Sequence, residues 1–63
     1  MKMVNIKVER ITKQGIIVLS DCMVKENEIK SSVEFHQNQC KELRNMLGYS
    51  FFIKVNNHIE VRI

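Results

Sequence analysis

Residues 29–35 read Ile-Lys-Ser-Ser-Val-Glu-Phe, and how this stretch folds decides the architecture. Ile29, Ser31, Val33 and Phe35 alternate with their neighbours as the residues of a strand do. The same stretch also holds a capping box, with Ser31 as N-cap and Glu34 three residues on. A helix starting there would carry Val33, His36, Cys40, Leu43 and Leu47 as one stripe, but would leave Phe35 on the side of Gln39 and Glu42. The preferred reading is a third strand from about Ile29 to Phe35, then a shorter helix. In that helix Cys40, Leu43, Met46 and Leu47 share a face, and Gly48 is the stop.

Two hairpins flank this region. Upstream, Val4, Ile6 and Val8 alternate with Asn5, Lys7 and Glu9, which marks a half-buried strand. Lys13-Gln14-Gly15 reads as a three-residue loop, so Thr12 pairs with Ile16, Val8 with Ser20, Ile6 with Cys22 and Val4 with Val24. Arg10, opposite Val18, is the exception on an otherwise apolar or small inner face, and Lys7 meets Asp21 on the outer one. Ile11, Ile17, Leu19 and Met23 then fall together on the outer face, which makes the second strand apolar on both sides.

Downstream, Tyr49–Val55 and Ile59–Ile63 flank Asn56-Asn57-His58. A three-residue loop pairs Val55 with Ile59, Ile53 with Val61 and Phe51 with Ile63 on one face. On the other face it pairs Lys54 with Glu60 and Phe52 with Arg62, the latter a cation–π contact. Asn57 or His58 must then adopt the left-handed conformation.

The expected class is α+β: a small five-stranded antiparallel sheet or partly open OB-like barrel, β-β-β-α-β-β, with one helix. The alternative is β-β-α-β-β, a four-stranded sheet with one longer helix packed across it.

A chain of 63 residues has room for one small domain, and such a domain buries only roughly 60% of its unfolded surface. Apolar residues make up 44% and charged residues 27%, a globular balance. The net charge of +3 is dispersed, with no basic arm or acidic tail. The N-terminus lacks the apolar core of a signal peptide, and the longest apolar run, Ile16–Leu19, is far too short to span a membrane. A cytoplasmic protein with reduced Cys22 and Cys40 is expected, without membrane partners. Lys, Ile and Asn are abundant while Pro and Trp are absent, a bias common in small bacterial and phage proteins.

Little in the chain suggests chemistry. Cys22, His36, Cys40 and His58 are possible zinc ligands, but they lack paired spacing, and both thiols fall at inward positions. No cofactor or metal is expected. Gly15 and Gly48 are the only glycines, so there is no Gly-rich phosphate loop, and the acids form no recognisable catalytic pair. The chain is therefore expected not to be an enzyme.

Two surfaces remain. Ile11, Ile17, Leu19 and Met23 would form a self-association interface, since one helix cannot cover both faces of a sheet. Phe52, Lys54 and Arg62, with Lys41 and Arg44 on the helix, would face a larger protein target, or nucleic acid through stacking and phosphate contact. The expected function is a homo-oligomeric protein–protein interaction module. It would inhibit or modulate a larger host protein sterically, as phage or mobile-element accessory proteins do. A small OB-like nucleic-acid-binding protein is the alternative.

Overall fold

The computed structural model describes residues 2–63. Strands β1 (Met3–Thr12) and β2 (Gly15–Lys25) form the first hairpin, and a 3-10 turn over Glu26–Glu28 leads into helix α1 (Ile29–Leu47). Strands β3 (Ser50–Val55) and β4 (His58–Arg62) close the chain as a second hairpin. The four strands make one antiparallel sheet in the order β2-β1-β3-β4.

The expected five-stranded sheet or OB-like barrel is thus corrected to four strands and one long helix. Residues 29–35 are the first turns of α1 and not a third strand. Topology accounts for this. Strands β2 and β3 both lie antiparallel to β1, so they run parallel to each other and need a crossover. A helix of 19 residues supplies about 28 Å of return path, which matches the eight ladder positions, about 26 Å, between the level of Lys25 (opposite Met3) and that of Ser50 (opposite Ile11).

The Ser31/Glu34 capping box does not form either. The turn begins earlier, where Lys25 N–H donates to Glu28 Oε1 at 3.2 Å. Ser31 lies inside the first helical turn, and its hydroxyl donates back to the Glu28 carbonyl at 3.1 Å. At the other end Gly48 adopts φ 72°, and its N–H donates to the Arg44 carbonyl at 2.8 Å.

Both hairpin loops are one residue shorter than the sequence pattern suggests, and each is followed by a bulge. In the first, Thr12 pairs with Gly15 and Ile11 with Ile16 around a two-residue loop. The register then shifts between Val8 and Glu9, leaving Leu19 as the extra residue, and beyond it Val8–Ser20, Ile6–Cys22 and Val4–Val24 pair as expected. In the second, Asn56 (φ 49°) and Asn57 (φ 66°) form the loop, both left-handed as a type I′ turn requires. Val55 pairs with His58, the register shifts between Ile53 and Lys54, and Phe52–Arg62 and Ile53–Val61 pair as expected. The anticipated Val55–Ile59 and Lys54–Glu60 pairs are replaced by Val55–His58 and Lys54–Ile59. The primed turn of the second hairpin matches the right-handed twist of its strands, whereas in the first the positive φ falls at Gly15 (136°), after Lys13 and Gln14; in each the bulge then restores the face pattern.

The core lies between the sheet and α1. Ile6, Val8, Phe51 and Ile53 meet Cys40 of the helix, with Cys22, Val24, Ile29, Val33, Tyr49, Val55, Val61 and Ile63 packed around them. Full burial of side chains such as Ile6, Phe51 and Ile53 stabilises by about 1.5–3 kcal/mol each. Of the helix only Cys40 is buried, while Leu43 and Leu47 at the C-terminal end of the expected stripe stay exposed. The Cα extents of 38 × 21 × 14 Å accommodate these two layers and no third.

Candidate interaction surfaces

The sheet face away from α1 is uncovered. Its ladder pairs set the side chains in rows: Val18–Glu9–Phe52–Arg62, Asp21–Lys7–Lys54–Ile59, Ile16–Ile11–Ser50, and Met23 beside Asn5.

The centre of this face is polar and internally paired. Glu9 is only 7% exposed, and Lys54 Nζ lies 2.7 Å from its Oε1, a charge contact rather than a well-directed hydrogen bond. Arg62 sits over the Phe52 ring, 5.5 Å from its centroid. Asn5 Nδ2 donates to Asp21 Oδ1 at 2.6 Å, and Lys7 Nζ to Asn57 Oδ1 at 3.4 Å.

Phe52, Lys54 and Arg62 are therefore together, as their alternation suggests. Lys41 and Arg44 are not with them. They are exposed on α1, in the other layer, and Arg44 Nη1 donates to Ser50 Oγ at 3.2 Å. The five residues form no single basic surface, and Lys54, whose charge a phosphate would need, is already matched by Glu9.

The four apolar candidates are all exposed but do not form one cluster. The bulge at Leu19 reverses the alternation of β2 on its turn side. Ile17 pairs with Arg10 and so shares the helix-side face, whereas Ile11 and Ile16 are paired on the open face. Met23, opposite Asn5, stands six ladder positions from Ile11, about 20 Å along the sheet. The residues that do gather at the turn end are Ile11, Ile16, Ile17, Val18 and Leu19, the last four each 47–54% exposed. Ile16 and Val18 were hidden from the sequence reading because a three-residue loop turns them inward.

Glu9 was hidden for another reason. Its partner Lys54 lies in β3, and nothing local to either strand specifies the pairing of β1 with β3. Arg10 likewise finds its place only in the folded chain, its guanidinium 3.4 Å from the Tyr49 ring centroid. With Lys13, Gly48 and Ser50, Arg10 and Tyr49 line an open groove of about 400 Å³. Gln39, Glu42, Leu43 and Met46 line a second shallow groove on the helix. Neither groove gathers a nucleophile with a base: Thr12 Oγ1 in the first donates to the Gly15 carbonyl, and Ser50 Oγ accepts from Arg44.

Cys22 and Cys40 are free thiols, and burial pushes the Cys40 thiol up from its ordinary value. Among the described residues no three or more His, Cys, Asp or Glu side chains are grouped to hold a metal ion. No helix among them is long and apolar enough to cross a membrane.

No family model matches the sequence, and no curated protein or solved structure matches it.

Proposed function

We propose that this chain is a non-enzymatic interaction module that works as a self-associated assembly. In this reading it acts on a larger protein by occupying its surface, in the manner of a phage or mobile-element accessory protein. The observation that carries the reading is the exposed apolar turn end of the first hairpin. Ile11, Ile16, Ile17, Val18 and Leu19 stand at or above one-third exposure on both faces of a two-layer fold that has no third layer to cover them. Contiguous apolar surface of this kind is unusual on a monomer and is relieved most simply by symmetric contact.

The test is velocity sedimentation of the wild type beside Leu19→Glu. A faster-sedimenting species that the glutamate removes, with the amide spectrum still dispersed, supports the reading. A wild type that sediments as a monomer at every concentration defeats it.

Single-stranded nucleic acid is the second reading, and the exposed Phe52–Arg62 pair favours it. Against it, Lys54 is matched by Glu9, and Lys41 and Arg44 belong to the opposite layer. A labelled oligonucleotide titrated at low and moderate salt separates the two. Tight, salt-sensitive binding lost in Phe52→Ala would displace the first reading.

A further inference from the structure

We propose that β2 is a pairing edge, docking antiparallel against β2 of a second copy through Gly15–Leu19, with Ile17 at the two-fold axis. This rests on the self-association reading above and gives it a site.

The two edges of the sheet differ. Both edge strands carry a bulge, but β4 has only five residues and places Glu60 and Arg62 along that short length, features that discourage a further strand. Strand β2 has 11 residues, and from Gly15 to Ser20 it contains no charge and no proline. Its edge presents backbone N–H and C=O groups that only another strand can pair in a regular ladder. The side chains agree. Ile16 and Val18 lie on the open face and Ile17 on the helix side, all about half exposed. A strand apolar on both faces is the pattern of an interior strand, yet β2 lies at the edge.

The bulge selects the register. A two-fold axis perpendicular to the sheet keeps open face with open face. Beyond Leu19 the parity reverses, because Ser20, Cys22 and Val24 share the helix side with Val8, Ile6 and Val4. A straight partner strand can therefore follow only one half of β2. In the half toward Lys25, the helix-side residues Cys22 and Val24 already pack on the core, and Asp21 is held by Asn5. In the half toward the turn, Ile16, Ile17, Val18 and Leu19 are each left about half exposed. Centring the pair on Ile17 sets Ile17 opposite Ile17 and, twice, Ile16 opposite Val18. The turn half of β2 is thus complementary to itself in backbone and in apolar side chains, so a second copy fits the edge in both terms.

The decisive experiment mixes isotope-labelled and unlabelled wild-type chains and records NOEs between copies. Cross-chain contacts between Ile16 and Val18, and from Ile17 to Ile17, are expected. Contacts confined to the open face around Met23, Phe52 and Ile59 would overturn edge pairing while leaving self-association intact. A monomer with no cross-chain contact overturns both. As a second arm, Ile17→Lys sets two like charges directly opposite each other and should weaken the dimer at least tenfold. Met23→Lys, outside the paired segment, should leave it unchanged, and equal losses in the two variants would also count against the register.

Discussion

Lys54→Met and Glu9→Leu, made singly and together, probe the ion pair at the centre of the open sheet face, and the two single changes should cost very different amounts. Lys54 has a side chain 23% exposed, so without Glu9 its ammonium can still reach water. Glu9→Leu should therefore destabilise by no more than about 1 kcal/mol. The Glu9 side chain is only 9% exposed, and among the described residues Lys54 is the one partner of its Oε1. Lys54→Met then strands a carboxylate that is largely cut off from water. Breaking a fully buried pair costs about 3–5 kcal/mol, so a pair at this partial depth should cost about 2–3 kcal/mol. The double variant removes both charges and should return to within about 1 kcal/mol of wild type, since apolar replacement of a buried pair is often neutral. Total stability for 63 residues is about 3–9 kcal/mol, so the larger loss is readily seen in urea titrations followed by circular dichroism. Equal costs for the two single changes, or costs that add to within about 0.5 kcal/mol in the double variant, would show that the charges are not coupled through burial.

Three smaller changes test the turns and the core. Asn57→Gly creates the Asn-Gly pair that type I′ turns prefer and should raise the thermal midpoint slightly, by about 0.5 kcal/mol of stability, because Asn57 already sits at φ 66°. Gly48→Ala meets no atom within 4 Å, so its cost should be the left-handed backbone alone, about 1 kcal/mol by chemical denaturation. Cys40 should react with a thiol reagent far more slowly than the half-buried Cys22. The same elevation fixes the sign of a pH effect. The unfolded thiol ionises near 9.0 while the folded one resists, so the folded state holds more protons and stability should fall as pH rises above that value. In Cys40→Ala that alkaline decline should flatten.

Much of the sheet was legible from alternation alone, and the errors have identifiable physical causes. Val4, Ile6 and Val8 paired as read because a one-residue slip would turn every one of them to the wrong face. A three-residue loop and a two-residue loop followed by a bulge give the same pairing far from the turn, so Leu19 and Glu60 could not be recognised as extra residues from side-chain pattern. At residues 29–35 the alternation of Ile29, Val33 and Phe35 was real but misleading. The helix placed Phe35 in solvent and kept Ile29 and Val33 against the core, and its full length matches the return path between parallel β2 and β3. The grouping of Phe52 with Arg62 was readable because it is local to one hairpin. The separation of Lys41 and Arg44 from that pair, and the capture of Lys54 by Glu9, depend on contacts between distant segments that no local pattern encodes.

What remains is the claim that the uncovered apolar turn end needs a second chain. Sedimentation equilibrium of the wild-type chain across a micromolar-to-millimolar concentration series addresses it without any substitution. The mass should climb from 7.5 kDa toward twice that value as concentration rises, with one set of association constants fitting every rotor speed. A mass that stays at 7.5 kDa throughout would mean that Ile16, Ile17, Val18 and Leu19 are tolerated in water, and that no second copy is called for.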